Sequence, residues 1–230
     1  MRVSFLLPNF LTLSNLALGI VAITLSYQAE WLYFAAALGG AIVCDWLDGW
    51  MARLLKAESA LGKELDALAD LVSFGIAPTF ALYNYLKLFL PLLPYSTEVR
   101  FWMVATPFGL PLLAAWRLAR FNVSPSPNPR FFEGLPTPAQ GAIWALWLLT
   151  APEGMGLHPA FWIGQILLVG GLMVSRLPFL SLKSSRNLPW MGLVVLGGVG
   201  LGLCIPSALW VSAGVLVYLG VSYAALRFVS

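Results

Sequence analysis

Long apolar segments constrain this chain more than any other feature of its sequence. A helix needs about 20 apolar residues to cross a bilayer. Eight segments approach or reach this length, at roughly residues 10–28, 31–54, 64–89, 99–120, 138–151, 158–175, 189–204 and 207–226. The fifth and seventh are short, so a core of six spans is an alternative. The pattern predicts an all-α, polytopic membrane helix bundle of about eight spans, with residues 1–230 forming one domain.

The distribution of charge indicates how such a bundle is oriented. Charged residues make up 10% of the chain, whereas soluble domains average about 25%. If the N-terminus is cytoplasmic and eight spans alternate, only Lys87 and Arg100 of the 13 Lys and Arg residues fall on the outer side. The positive-inside rule therefore predicts a multi-pass protein of the inner cell membrane with both termini in the cytoplasm. The sequence has no basic stripe with interleaved aromatics, which argues against nucleic-acid binding.

All four aspartates of the chain fall between residues 45 and 70: Asp45, Asp48, Asp66 and Asp70. An ionised carboxylate in apolar sequence is costly unless it is paired or binds a cation, and such groups in membrane segments are candidates for function. Within each pair the side chains are about 60° or 40° apart around a helix, so each pair shares a face. The intervening loop, residues 54–61, is long enough to let the two faces meet.

These four carboxylates predict a metal site at the cytoplasmic ends of the second and third spans. Hard oxygen ligands suit Mg²⁺ or Mn²⁺, and the absence of His and Cys from the group argues against zinc. Small residues on the same faces, Gly49, Ala52 and Gly62, would let a bulky ligand approach the backbone. The alternative is that the acids only cap helices or pair with nearby Lys and Arg side chains.

The order D-x2-D-G-x2-A-R-x8-G-x3-D-x3-D, which begins at Asp45, resembles the signature of the CDP-alcohol phosphatidyltransferases. The resemblance covers roughly residues 5–138. It implies an integral-membrane enzyme, a homodimer, in which an alcohol attacks the phosphorus next to the diacylglycerol of CDP-diacylglycerol and CMP leaves. It also implies two divalent cations, with Asp45, Asp48 and Asp66 as ligands. Asp70 would be a ligand of the second cation and the general base.

The resemblance also implies a nucleotide site beside the metal ligands. Gly49, Arg53 and Ser59 would lie against the nucleotide or its phosphates. In the first span, Asn9, Thr12 and Asn15 present polar groups on one face, and the resembled family places this region near the nucleotide. The alternative for the polar face is a helix cap with interhelical hydrogen bonds.

A second polar stretch, R-L-A-R-F-N at residues 117–122, is followed by F-x-G-L-P-x-P at residues 132–138. Together with A-D-L-V-S-F-G-I-A-P around Asp70, these motifs resemble the phosphatidylserine synthase branch of the family. Arg117, Arg120, Asn122 and Ser73 are therefore candidates for binding the acceptor or the lipid phosphate, because guanidinium groups pair well with carboxylates and phosphates. The alternatives are snorkelling arginines, and a serine that bonds back to its own helix.

The resemblance thus implies transfer of the phosphatidyl group from CDP-diacylglycerol to L-serine at the cytoplasmic face. Another acceptor, such as glycerol 3-phosphate, an inositol phosphate or choline, is the alternative within the same chemistry. A carboxylate-lined transporter is the alternative from another class. It is disfavoured because the aspartate stretch has no clear internal repeat and lies at one membrane face.

Overall fold

The computed structural model describes residues 6–123, 131–150 and 158–180. Helices dominate these ranges. The elements, in chain order, are α1 (Leu6–Tyr27), α2 (Trp31–Leu54), α3 (Ala60–Asp70), a π-helical turn (Leu71–Ile76), α4 (Ala77–Phe89), a 3₁₀ turn (Leu90–Leu92), α5 (Thr97–Ala105), a 3₁₀ turn (Thr106–Phe108), α6 (Gly109–Val123), β1 (Phe131–Glu133), α7 (Thr137–Thr150), α8 (Pro159–Val174) and β2 (Pro178–Leu180).

Among the described residues, four continuous helical rods are long and apolar enough to cross a membrane: 6–27, 31–54, 60–92 and 97–123. The third joins α3, the π turn, α4 and a 3₁₀ turn, and the fourth joins α5 to α6. Helix α8 is a shorter apolar helix. The first six apolar segments are therefore confirmed as helical, whereas 189–204 and 207–226 lie outside the described residues. The number of spans and the orientation of the termini remain predictions.

Helix α2 explains how two aspartates come to lie inside the protein. Its buried stripe contains Phe34, Leu38 and Ala41 in the first half and continues at helical spacing to Asp45 and Asp48. The buried face of α2 is therefore apolar in its first half and carries the two carboxylates in its second half. The same rotation that buries the apolar residues also turns both carboxylates toward α1 and α3.

Helix α1 packs through small and polar residues, which suits close helix contact in lipid. Its buried face consists of Pro8, Thr12, Asn15, Gly19, Ala22 and Ser26. At Gly19 an added Cβ would lie 2.8 Å from the Cα of Ser73 in the π turn. Glycine at this position therefore lets α1 approach the π turn closely.

The third rod is not a regular helix throughout. The sequence predicts that Gly75 and Pro78 weaken it, and the structure has the π turn at Leu71–Ile76, in which the Ala77 N–H donates to the Val72 carbonyl. Pro78 lies at the start of α4 and has no N–H to continue the α-helical ladder. The Thr79 hydroxyl instead donates to the Gly75 carbonyl at 2.9 Å. Such turns are frequent at functional sites.

The apolar core lies away from the acids and is rich in aromatic rings. Tyr85, Trp147 and Trp162 form edge-to-face pairs with centroids 5.0 and 5.4 Å apart. The Trp162 indole N–H donates to the Met103 carbonyl at 3.0 Å, which ties α8 to α5. This core joins the later helices to α2 and α4 and supports the polar end of the bundle.

In the described ranges, one antiparallel pair of three-residue strands, β1 and β2, accompanies the helices, and the predicted all-α fold class is confirmed. Gly134 follows β1 with φ of +78°, and an added Cβ would lie 2.8 Å from the Ser175 carbonyl oxygen. The Leu135 N–H then donates to the Leu172 carbonyl at 3.0 Å. These contacts fasten the segment before α7 to the end of α8. They thereby fix where α7 begins.

Candidate active site

Three of the four aspartates converge between α2 and α3. One carboxylate oxygen from each of Asp45, Asp48 and Asp66 lies within 4.8 Å of the others. Asp45 and Asp48 are buried, with 7% and 5% of their surface exposed. The short connection from Leu54 to Ala60 turns the chain so that α3 returns beside α2. The spacing therefore predicts correctly that the two acidic faces meet.

The geometry and chemistry of this cluster fit a hard divalent cation. In an octahedral Mg²⁺ site with bonds of about 2.1 Å, adjacent oxygen ligands are about 3.0 Å apart and opposed ones about 4.2 Å. The cluster's oxygens lie within 4.8 Å of each other, a little above the upper end of this range. The buried Oδ1 of Asp66 has no hydrogen-bond partner among the described residues. Three close carboxylates with such an oxygen would be expensive without a cation.

Asp70 lies beside this cluster and faces a different set of neighbours. Asn15 Nδ2 of α1 donates to its Oδ1 at 3.2 Å, and Thr137 Oγ1 of α7 donates to its Oδ2 at 3.3 Å. Thr12 of α1 serves the cluster in a similar way, donating to Asp48 Oδ2 at 2.6 Å. Helix α1 therefore supplies hydrogen-bond donors to acids on two different helices.

A cavity beside the α2–α3 connection, here called the loop cavity, has an empty volume of about 1000 Å³ including its open mouth. Asp48 and Asp66 line it together with these residues of the predicted nucleotide site: Asn9, Thr12, Gly49, Ala52, Arg53, Ser59 and Gly62. Asn15, on the same face of α1, does not line it. Ser59 caps α3, its hydroxyl accepting from the Gly62 N–H at 3.0 Å. The first turn of α3 thus opens into the cavity, and helix N-termini favour phosphate groups.

A second cavity, here called the arginine cavity, lies on the other side of the cluster and has an empty volume of about 750 Å³ including the open solvent at its mouth. Its polar lining includes Asp45, Asp70, Arg117, Asn122 and Thr137. Asp66 and Lys63 line both cavities. The carboxylates therefore lie at the boundary between the two cavities, within reach of a ligand in either one.

Two of the candidate acceptor residues lie outside the arginine cavity. Ser73 is fully buried, and its hydroxyl donates to the Asn15 carbonyl at 2.9 Å rather than to its own helix. Arg120 donates to the Val174 carbonyl at 2.8 Å and to the Ser175 carbonyl at 3.3 Å. Both side chains hold the scaffold together, because residues distant in sequence present carbonyl groups to them.

Sequence reasoning also missed residues that the structure brings to the site. Thr137 is 67 positions from Asp70, and only its place in the F-x-G-L-P-x-P motif drew attention to that stretch. The sequence presents Lys63 only as one of the nearby cations that could pair with the acids. In the structure its ammonium donates to the Asn122 carbonyl at 2.8 Å, which links α3 to the end of α6 across the mouth of the arginine cavity.

The fold and the site together define a helical membrane protein with an acidic metal-type cluster between two cavities. The model of the CDP-alcohol phosphatidyltransferase family matches residues 5–177. The chain therefore belongs to this family, and the resemblance noted in the sequence is confirmed. The match extends past residue 138, where the motifs recognised in the sequence end, and it includes α7 and α8.

Similar proteins include several bacterial and archaeal enzymes that carry one name, CDP-diacylglycerol–serine O-phosphatidyltransferase. The Helicobacter pylori protein is 34% identical over 191 residues, which cover 79% of this chain and 75% of the relative. The Methanocaldococcus jannaschii protein is 32% identical, covering 75% of this chain and 73% of the relative. The Mycobacterium leprae protein is 33% identical, and this chain spans 57% of its length.

Proposed function

We propose that this chain transfers the phosphatidyl group of CDP-diacylglycerol to the hydroxyl of L-serine, forming phosphatidylserine and CMP. The observation that carries the proposal is the acidic cluster between two cavities of different character. Family membership supports phosphatidyl transfer, and the names of the relatives support serine as the acceptor. The alternative acceptors for the same reaction are glycerol 3-phosphate, inositol phosphate and choline.

The loop cavity is suited to the nucleotide and its diphosphate. Gly49, Ala52 and Gly62 leave the backbone accessible there, and Arg53 places a cation on the same wall. The first turn of α3, which follows Ser59, adds the positive end of a helix dipole. These features together would bind a strongly anionic group and keep its reacting phosphorus next to Asp48 and Asp66.

Asp45, Asp48 and Asp66 would hold a Mg²⁺ or Mn²⁺ ion, and Asp70 would contribute to a second. Bound there, such ions supply charge neutralisation for the diphosphate and for the CMP that leaves. The side chains of the site supply the remaining contributions, which are positioning and charge compensation. Most of the barrier to phosphoryl transfer is lowered by positioning and charge compensation, which fixed carboxylates and a helix terminus provide.

The arginine cavity is suited to the acceptor. The Arg117 side chain is buried, with 6% of its surface exposed, and shares the cavity with Asp70 and Asn122. A guanidinium can bind the carboxylate of serine through two parallel hydrogen bonds. The serine hydroxyl would then lie toward Asp70, which takes its proton while the new oxygen–phosphorus bond forms and the bond to CMP breaks.

The proposed setting is the inner cell membrane, with membrane lipids around the helices, the site facing the cytoplasm and the chain acting as a homodimer of single-domain subunits. Four membrane-length helices and the positive-inside pattern support this setting. Cysteine-accessibility labelling at Lys56 and Arg100 in intact cells tests the orientation. Cross-linking of the purified protein in nanodiscs tests the oligomeric state.

The direct test of function is an acceptor panel. The purified full chain is mixed with CDP-diacylglycerol, Mg²⁺ or Mn²⁺, and one acceptor at a time, and both CMP and the lipid product are measured. The proposal predicts CMP and phosphatidylserine with L-serine. CMP release with another acceptor but not with serine would replace the acceptor. Cation or solute flux in liposomes without CMP release would favour a transporter.

A further inference from the structure

The Asp70 carboxylate is held between two helices that come from distant parts of the chain. Asn15 of α1 donates to one of its oxygens at 3.2 Å, and Thr137 of α7 donates to the other at 3.3 Å. Asn15 and Thr137 have 0% and 1% of their surface exposed, and Asp70 has 7%. In such a buried setting, water competes little for these hydrogen bonds, so they restrict the rotation of the carboxylate.

Both donors are fixed by contacts that do not involve Asp70. The backbone carbonyl of Asn15 accepts from Ser73 Oγ at 2.9 Å, and Gly19, one turn further along α1, permits this approach. Thr137 opens α7 directly after the segment that Leu135 fastens to Leu172 at 3.0 Å. The fold therefore determines where the two donors lie.

We infer that Asn15 and Thr137 are positioning residues that aim the Asp70 carboxylate at the acceptor in the arginine cavity. The inference rests on the proposed function and deepens it, because it names what holds the general base. Thr137 itself lines the arginine cavity next to Asp70, whereas neither Asn15 nor Thr137 lines the loop cavity. Loss of either donor should therefore slow the chemical step without weakening the binding of the nucleotide lipid.

Near-isosteric substitutions separate the hydrogen bond from the packing. Thr137→Val keeps the volume and Asn15→Leu keeps the branched shape, while both remove the donor. Each is expected to lower kcat by about 10- to 100-fold, as for other groups that orient an active-site ligand. The KM for CDP-diacylglycerol should stay unchanged. Thr137→Ser keeps the hydroxyl and should retain most of kcat.

The chain offers matched controls for both substitutions. Thr79 is also 1% exposed, and its hydroxyl donates to the Gly75 carbonyl at 2.9 Å. Asn84 is 6% exposed and donates to Ser26 Oγ at 2.9 Å. Neither residue lines the two cavities. Thr79→Val and Asn84→Leu remove equally buried hydrogen bonds, so any general loss of stability appears in them too, while kcat should not change.

The experiment measures CMP release from the full chain in nanodiscs with L-serine, first for the wild type and then for the variants and for Thr137→Val combined with Asp70→Asn. If the wild type releases no CMP with any acceptor, the proposed function fails. If the wild type is active, a fall in kcat that Thr137→Ser restores, and that disappears in the Asp70→Asn background, supports the inference.

An unchanged kcat in Thr137→Val or Asn15→Leu overturns the inference and leaves the proposed function intact. The same fold-loss from Thr137→Val in the Asp70→Asn background also overturns it, since the threonine would then act through another group. Thermal unfolding of each variant is measured alongside. Should Thr137→Val not fold, Thr137→Ala and Asn15→Leu test the same carboxylate independently.

Discussion

Replacing Thr12 with valine removes a hydrogen-bond donor to the acidic cluster, while the shape of the side chain stays nearly the same. Thr12 is 3% exposed, and its hydroxyl donates to Asp48 Oδ2 at 2.6 Å. A hydrogen bond to a charged group contributes about 1.5–3 kcal/mol, which corresponds to about 10- to 150-fold in an equilibrium constant. If this bond fixes the Asp48 carboxylate for a cation, Thr12→Val should weaken Mn²⁺ binding by about 10- to 100-fold.

Isothermal titration of the purified protein with Mn²⁺ measures this affinity directly. CMP release as a function of Mn²⁺ concentration should show the same shift, with activity recovering at high Mn²⁺. Thr12→Ser keeps the donor and should bind Mn²⁺ like the wild type. Thr79→Val, which is equally buried but remote from the acids, should also leave the affinity unchanged. A folded Thr12→Val protein with wild-type Mn²⁺ affinity would refute the role assigned to this bond.

Three further predictions follow from the geometry. Gly19→Ala would place a Cβ 2.8 Å from a backbone atom of the π turn, so we expect a loss of about 1–3 kcal/mol in stability, visible as a lower Tm. Asp70→Asn should still bind CDP-diacylglycerol but turn over about 100-fold or more slowly, because the base is lost. Arg117→Lys should raise the KM for serine about tenfold through loss of the bidentate geometry, whereas Arg120→Lys should lower the Tm and leave that KM unchanged.

For each of these three predictions, one result would contradict it. Gly39→Ala serves as the control for Gly19, because an added Cβ at Gly39 would meet nothing within 4 Å apart from its chain neighbours and the backbone of its own helix. Equal Tm values in the two variants would contradict the close approach. Near-normal turnover of Asp70→Asn would remove it from the role of base. An Arg117→Lys protein with wild-type KM for serine would place the acceptor elsewhere.

The aspartate cluster was predictable because helical spacing is a local property. The separation of Asp45 from Asp48 already places both on one face, and the short connection to α3 brings Asp66 to them. The loop-cavity residues were predictable for the same reason, since Gly49, Ala52 and Gly62 repeat the spacing of the acids. Local spacing in the sequence therefore predicts the metal-type cluster and part of the lining of the loop cavity.

The arginine cavity was less predictable because its lining depends on contacts between distant segments. Thr137 reaches Asp70 only because Gly134 adopts a positive φ and the following backbone bonds to the end of α8. The spacing of residues along a helix or strand does not indicate a contact of this kind between distant segments. The strands β1 and β2 are three residues long, too short for an alternating pattern to be read. Pro78 did signal an irregular helix, though not that the irregularity is a π turn.

The central claim is that Asp45, Asp48 and Asp66 jointly hold a divalent cation between the two cavities. Anomalous diffraction from crystals of the protein with Mn²⁺ and CDP-diacylglycerol tests it most directly. We predict an anomalous peak within about 2.2 Å of one oxygen from each carboxylate, with the diphosphate in the loop cavity beside it. A diphosphate bound there while the three carboxylates diverge and no peak lies between them would contradict the account.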